Sequence, residues 1–490
     1  MSISVRDVTY TYSGAKQPAL KNADVELREG ELTFIAGQSG SGKSTLIRCV
    51  NGLIPRRYNA GKLSGSVWME GRDAARLSLA QISRLVGTVM QDPERQLVST
   101  QVMDDIAFGL ENIGLPREEI IARATAAAQR LNIAHVLERK TFSLSGGEKQ
   151  KVAIAGVMAM NPRAVLLDEP LASLDPASAR EAMQAFRALA DEGVAVVVVE
   201  HRHEVVLAAN PQHCIVLADG AVAYDGDAAG FPRGPSPARR AIAPANPNAK
   251  ILLDLRDVTF AHPNAAPTLR NINLHIRAGD VIALLGANGA GKSTLCRHFI
   301  GLHRPASGAV FLGDENTAGM TIAQMARRVG YVFQNPGAML FAPTLREELA
   351  FGPKNLGLPA DVVEKNVLHA AQVVGLADRL DDSPFALSHG QQKRVSVACV
   401  LAMRVPGITG RVMALDEPTA GQDSANILRL MDELTTREGF EALVFATHDL
   451  DLARTYANRA VVMAEGQIVA DGEPSAVLSD AALLARCRLV

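Results

Sequence analysis

The chain has 490 residues, 48% of them hydrophobic and 21% charged, the mix of a folded protein long enough to bury large cores without disulfides or metals. Lys plus Arg number 50 against 52 Asp plus Glu, and the net charge of -2 argues against a protein whose main task is coating nucleic acid, because phosphate binding needs a basic excess. The 5 cysteines are scattered without CxxC spacing and read as reduced cytosolic thiols, not as a disulfide frame or a zinc site. The first residues carry Arg6 and Asp7 and lack the apolar core of a signal peptide. The longest aliphatic runs, such as Val194–Val199, fall far short of the roughly 20 residues that a membrane helix needs. A soluble chain that forms no membrane pore by itself is expected.

Self-similarity divides the length. Arg6-Asp7-Val8-Thr9-Tyr10 returns as Arg256-Asp257-Val258-Thr259-Phe260, and Asp168-Glu169-Pro170 returns as Asp416-Glu417-Pro418, at an offset near 250 residues. Several unrelated motifs recur in the same order, so the chain is a duplicated domain. The expected organisation is a first domain over 1–227, a linker over 228–250 and a second domain over 251–490. The linker is rich in proline and carries Arg233, Arg239 and Arg240, which reads as a semi-extended, solvated tether.

In chain order, Leu32–Ala36 reads as a buried strand feeding Gly37-Gln38-Ser39-Gly40-Ser41-Gly42-Lys43-Ser44, followed by Thr45. Val281–Leu285 likewise feeds Gly286-Ala287-Asn288-Gly289-Ala290-Gly291-Lys292-Ser293, followed by Thr294. Both fit G-x-x-x-x-G-K-S/T. Glycines let backbone N–H groups curl around phosphate oxygens, and the helix that follows turns its positive end toward them. Lys43 and Lys292 are placed to reach the β- and γ-phosphates, with Ser44 and Ser293 as Mg²⁺ ligands. One such match could be a chance glycine turn; two at corresponding positions leave that reading little room. The Ala- and Arg-rich stretch Ile120–Leu137 has helical composition. Val165–Leu167 and Val196–Val199 read as central parallel strands. Asp168 and Asp416 then stand at strand ends beside the glycine-rich turns, placed to hold Mg²⁺ through water, with Glu169 and Glu417 next to them to polarise an attacking water. The fold class expected from this alternation is α/β, two P-loop nucleotide-binding domains in tandem, each a mostly parallel sheet with flanking helices.

Leu144-Ser145-Gly146-Gly147-Glu148 stands shortly before the first acidic strand, with Leu387-Ser388-His389-Gly390-Gln391 as its counterpart. A helix that starts in small residues is an anion site, and this string resembles the signature of ATP-binding-cassette ATPases. The resemblance covers the chain outside the linker. It implies a helical signature subdomain in each half, and a head-to-tail pairing in which each ATP lies between one domain's P-loop and the other's signature. It also implies that Gln91 and Gln334 are Q-loop glutamines touching Mg²⁺ and water, that His201 and His448 sense the γ-phosphate, and that Tyr12 stacks on adenine. The second half has His262 at the adenine position, with Phe260 nearby. Leu174-Asp175 matches the D-loop, and Gln422-Asp423 is its variant counterpart.

On that resemblance, one site combines Lys43, Gln91, Glu169 and His201 with Ser388, His389 and Gly390. The other combines Lys292, Gln334, Glu417 and His448 with Ser145, Gly146 and Gly147, in an intramolecular pseudo-dimer. Both are expected to hydrolyse ATP, the first being the more variable because of His389. His201-Arg202-His203-Glu204 has the residue types of a metal site but not the His-Glu-x-x-His spacing, so the γ-phosphate role is preferred.

The Q-loop neighbourhoods, Gln91-Asp92-Pro93-Glu94 leading to Ile106-Ala107-Phe108-Gly109, and Gln334-Asn335-Pro336 leading to Ala350-Phe351-Gly352-Pro353, resemble the energy-coupling-factor and cobalt-type importer ATPases. That resemblance implies an integral membrane T component and a separate substrate-binding membrane component as partners, no nucleic acid, a peripheral place on the cytoplasmic face of the membrane, and a vitamin, vitamin precursor or metal ion as cargo. Two alternatives stay open: another class of ABC importer, and a soluble tandem-cassette ATPase of translation or DNA repair.

Overall fold

The computed structural model describes residues 2–490 except 59, 92, 94, 95, 234–237, 239, 241, 264, 265, 420–423, 437 and 438. The chain forms two compact units, Met1–Pro235 and Ser236–Val490. Each unit holds a four-stranded antiparallel sheet and a six-stranded, mostly parallel one.

In the first unit the large sheet runs Ala221–Gly226, His213–Ala218, Leu32–Ala36, Ala195–Val199, Ala164–Asp168, Val86–Val89. Its strands pair in parallel except for the final hairpin, Ala221–Gly226 on His213–Ala218. The second unit repeats the order in mirror listing, from Val329–Val332 through Val412–Asp416, Ala442–Thr447, Val281–Leu285 and Arg459–Ala464 to Gln467–Gly472. The strands are near-continuous aliphatic runs because both faces are buried. Phe34, Val196 and Val198 face the helices, whereas Ile35, Val197 and Val199 face the small sheet and the P-loop helix Lys43–Val50.

The signature subdomain is helical in each unit. Val102–Asn112, Arg117–Arg130 and Gly146–Ala159 pack together in the first, and Leu345–Asn355, Ala360–Val373 and His389–Ala402 in the second. The helix expected over Ile120–Leu137 starts earlier and stops at Arg130. Asn132 takes a left-handed φ of 55°, which breaks the helix before a short 3₁₀ turn at Ala134–Val136.

The linker departs from the expected solvated tether at both ends. Phe231 is only 5% exposed and belongs to the first unit's core, its ring stacked on Phe34 at 5.3 Å. At the far end Arg240 forks onto Asp432 through Nε at 2.7 Å and Nη2 at 2.8 Å, and Asn458 Nδ2 donates to the Ala243 carbonyl at 2.9 Å. The tether reading of 234–237, Arg239 and Ala241 lies outside the described residues.

Candidate nucleotide site in each unit

All the motif residues of a unit stand at the carboxyl ends of its parallel strands, where open α/β sheets bind ligands. The P-loop follows Leu32–Ala36, Gln91 follows Val86–Val89, Glu169 follows Ala164–Asp168, and His201 lies just past Ala195–Val199. Gly42 and Gly291 are obligatory as glycines: each caps its helix with a left-handed φ, 103° and 102°, and a Cβ on Gly42 would come within 2.4 Å of the Ala19 carbonyl.

In the first unit Lys43 Nζ donates to the carbonyls of Gly37 (2.7 Å) and Gln38 (2.9 Å), so the ammonium lies inside the P-loop ring. Lys292 does the same with Gly286 (2.7 Å) and Ala287 (3.1 Å), and it also reaches Glu417 Oε1 at 3.5 Å. The Ser44 side chain hydrogen-bonds Asp168, and Ser293 Oγ donates to Asp416 Oδ1 at 3.0 Å. Asp416 is completed by Tyr331, whose hydroxyl donates to Oδ2 at 2.9 Å. Thr88 stands where the second unit has Tyr331, and Asp168 Oδ1 is buried without a hydrogen-bond partner. That orphaned oxygen, beside a serine hydroxyl, is a hard-oxygen donor pair suited to a divalent cation that takes its remaining ligands from phosphate and water.

The glutamates sit against the histidines. His201 Nε2 lies 3.3 Å from Glu169 Oε1, and Gln91 Nε2 donates to Glu169 Oε2 at 2.8 Å. His448 Nδ1 lies 3.2 Å from Glu417. Gln334 is exposed, so the structure joins Gln91 to its glutamate, while Glu417 is met by Lys292 and His448. Both glutamates take left-handed backbone, φ 51° and 48°, which turns their carboxylates off the strand ends. Burial alone pushes these carboxyls up, but the neighbouring His201, Gln91 and Lys43 outweigh it and hold Glu169 below the usual range. His448 and Lys292 take Glu417 down to about 2. The adjacent aspartates go the other way. Burial, with the charge of Glu169 behind it, raises Asp168 to about 6, and burial likewise raises Asp416. Each unit thus keeps an ionised carboxylate beside an imidazole, a pairing that has the chemistry to orient and polarise a water.

The aromatic walls differ. Tyr12 is edge-on to Tyr10 (4.8 Å) and Tyr58 (6.0 Å), and its hydroxyl meets Thr45 Oγ1 at 3.2 Å and accepts from Arg48 at 2.9 Å. In the second unit His262 is edge-on to Phe260 at 5.0 Å, and Phe260 is stacked on His303 at 4.8 Å with His298 at 4.9 Å. Sequence reasoning missed Tyr58, His298 and His303, which come from the helix and loop after the P-loop and carry no motif of their own.

The signature serines cap their helices. Ser145 N donates to Glu148 Oε2 (2.7 Å) and its Oγ accepts from Glu148 N (3.3 Å); Ser388 and Gln391 form the same box. Ser145, Gly146 and Ser388 are exposed, Gly147 is buried, and His389 and Gly390 are half-buried. A Cβ on Gly146 would meet nothing closer than Ser173 at 3.8 Å, so its own unit does not require a glycine there. His389 occupies the position matching Gly146 in the other unit.

Leu174 is buried, and Asp175 Oδ1 caps the next helix by accepting from Ser178 N at 2.8 Å; the counterpart Gln422-Asp423 lies outside the described residues. Glu200, unnoticed in the sequence, is 2% exposed and accepts from the amides of Leu171 (3.0 Å), His201 (2.7 Å) and Arg202 (3.1 Å). It ties the histidine segment to the turn after Glu169. His203 does not share the environment of His201: its ring packs edge-on to Phe34 and Phe231. Among the described residues no helix is long and apolar enough to cross a membrane.

A family model described as ABC transporter matches residues 20–172 and 269–420. A protein described as an ABC transporter ATP-binding protein from Methanosarcina acetivorans is 33% identical, with 97% of this chain and 86% of that one covered. Proteins of the same description from Vibrio vulnificus and Streptococcus pneumoniae are each 32% identical; the alignments cover 100% and 99% of this chain, and 93% of each of theirs. Among solved structures, cbiO1 from Clostridium perfringens, described as part of the ABC transporter complex cbiONQ, is 32% identical over 49% of this chain and 95% of its own, with a TM-score of 0.43. A dimeric bacterial ABC transporter cassette is 29% identical over 47% of this chain and 100% of its own, with a TM-score of 0.42.

Proposed function

We propose that this chain, which belongs to the ABC transporter family of ATP-binding proteins, is the ATP-hydrolysing, energy-coupling subunit of an importer of the energy-coupling-factor type. It is an ATPase with two cassettes, and the observation that carries hydrolysis in both is the repeated contact of an ionised glutamate with a histidine, 3.3 Å in one unit and 3.2 Å in the other.

In the proposed mechanism the P-loop amides, Lys43 and Lys292 take the phosphates, and Tyr12 and the Phe260–His262 wall take the base. Ser44 with Asp168, and Ser293 with Asp416, would hold Mg²⁺, which would supply positive charge to neutralise the phosphates. Glu169 and Glu417 orient the attacking water and accept its hydrogen bond, Gln91 and Gln334 help place that water, and His201 and His448 hold the γ-phosphate oxygens. Each site is completed across the pseudo-dimer by the other cassette's signature, Ser388, His389 and Gly390 or Ser145, Gly146 and Gly147. The spare room around Gly146 supports this arrangement, because a glycine that its own unit does not need makes sense where a ligand or the other cassette comes close. ATP draws the cassettes together, and loss of the γ-phosphate bridge lets them part.

The importer class rests on the Q-loop strings. Supporting it, the helix below each Q-loop carries an exposed aromatic at the matching position, Phe108 at 48% and Phe351 at 49%, with Val98 at 63% and Phe341 at 57% beside them. Exposed apolar residues repeated at equivalent places suit docking of membrane partners, here an integral T component and a substrate-binding component at the cytoplasmic face. The cargo class is a vitamin, vitamin precursor or metal ion.

Two measurements test the proposal. Glu169→Gln and Glu417→Gln are each expected to lower ATPase activity, and the double variant to abolish it; full activity in either single variant sinks the two-site mechanism. Extracted from its own host's membranes in mild detergent, the chain is expected to come away with a small integral membrane protein that stimulates its ATPase on reconstitution. Recovery with ribosomes or DNA instead would overturn the importer reading.

A further inference from the structure

The helix His389–Ala402 begins at the second signature and packs against the strand Val329–Val332 of its own cassette. Lys393, on its second turn, is 1% exposed, and its Nζ donates to the main-chain carbonyl of Glu417. A buried ammonium needs compensating charge, and the carboxylates of Glu417 and Asp416 supply it. The residue it grips has left-handed backbone, φ 48°, as Glu169 has at 51°, so the lysine adds a tie to a conformation that both halves share.

The first cassette lacks this brace. Five residues after its signature serine, where the second cassette has Lys393, stands Gln150, which is 0% exposed and leaves both Nε2 and Oε1 without a hydrogen-bond partner. The Glu169 carbonyl accepts instead from the Ala172 amide at 3.3 Å. The same helix position therefore holds a charged tie to the catalytic glutamate in one half and a silent amide in the other.

We propose that Lys393 is a positioning residue for hydrolysis at Glu417. Its ammonium fixes the peptide of Glu417 so that the carboxylate stays aimed at the attacking water, and it does so from a helix whose first turn is the signature segment of the opposite site. Movement of that segment is thereby transmitted to Glu417, whereas Gln150 transmits nothing to Glu169. This rests on the reading of Glu417 as the water-orienting base.

The test is run on the full chain carrying Glu169→Gln, so that only the Glu417 site turns over. Adding Lys393→Gln, which copies the first cassette, is expected to lower kcat about tenfold or more, as loss of one charge-assisted hydrogen bond to a catalytic group would. The ATP KM and the affinity for a fluorescent ATP analogue are expected to stay within about twofold. Lys393→Met, similar in length and uncharged, is expected to behave alike and serves if the glutamine variant folds poorly. A kcat within about twofold of the parent overturns the proposal. So does a fall in kcat matched by lost nucleotide affinity and a lowered melting temperature, because that is the mark of a merely structural lysine. If adding Glu417→Gln to the Glu169→Gln chain leaves its activity intact, Glu417 is not the base, and the mechanism itself fails along with the brace.

Discussion

Phe231→Ala removes the aromatic that fastens the start of the linker to the first cassette. The ring is 5% exposed, stacked on Phe34 at 5.3 Å and edge-on to His203 at 5.5 Å and to Tyr224 at 6.5 Å. Truncating a buried phenylalanine costs about 3–5 kcal/mol where the surroundings cannot collapse. The ring keeps some exposure and makes only edge-on contacts apart from Phe34, so the lower end, about 3 kcal/mol, is expected. At about 2–4 °C per kcal/mol for a unit of this size, the first unit's melting temperature falls by roughly 6–12 °C. Phe34 lies on the strand that feeds the P-loop, and His203 lies two residues past His201, so ATP binding by the first cassette is expected to weaken as well. Differential scanning calorimetry of the full chain measures the effect, with the second unit's transition as internal reference. Trypsin is expected to cut faster at Arg233. Phe231→Leu, which keeps the apolar contact, is expected to lose only about 1 kcal/mol. A fall of less than about 2 °C, or an equal fall in both transitions, would refute the claim that Phe231 is part of the first unit's core.

Two more outcomes follow from the sites. Gly146→Ala has room for its methyl group, with no atom nearer than 3.8 Å, so the melting temperature is expected to hold or rise slightly. If the signature completes the opposite site, ATPase activity nevertheless drops about tenfold in the Glu169→Gln background and little in the Glu417→Gln background; equal losses in the two backgrounds would contradict head-to-tail pairing. The second concerns Glu417, lowered from its ordinary 4.5 to about 2. A carboxyl depressed on folding contributes stability above its unfolded value that is lost as pH falls through the folded one, here between about 4.5 and 2, and on the order of 3 kcal/mol at most. The melting temperature of the wild-type second unit is therefore expected to fall more steeply than that of Glu417→Gln between pH 6 and pH 3, and parallel curves would remove the ion-pair account of this carboxylate.

What was legible in the sequence is what depends on contiguous residues. A phosphate loop, an acidic strand end and a helix start in small residues are each made of neighbours in the chain, so spacing singled out the first two, resemblance to the cassette signature singled out the third, and the two-cassette fold followed from their repetition. What was not legible depends on pairs brought together by the sheet. Glu200 reads as the polar end of a valine strand until Leu171, His201 and Arg202 turn their amides onto it. Phe231 reads as one apolar residue in a proline-rich linker until Phe34 stacks beneath it.

This division bears on how the two halves differ. Motif retention makes them near-equivalent and locates the variation at His389. The through-space partners locate a second difference in the Glu417 half: Tyr331 on Asp416 where the first half leaves Asp168 Oδ1 unpartnered, and Lys393 on the Glu417 carbonyl where the first half has Gln150. The tyrosine adds a hydrogen bond to the second aspartate, and the lysine adds a positive charge beside the second pair of carboxylates. The Glu417 peptide is braced and Asp416 already has its tyrosine partner, whereas Asp168 Oδ1 has no partner and has more to gain from a cation beside it. Nucleotide with Mg²⁺ is therefore expected to stabilise the first cassette more than the second. Two melting transitions that move up by equal amounts on adding MgATP to the Glu169→Gln, Glu417→Gln chain would show that these partners leave the two sites energetically alike.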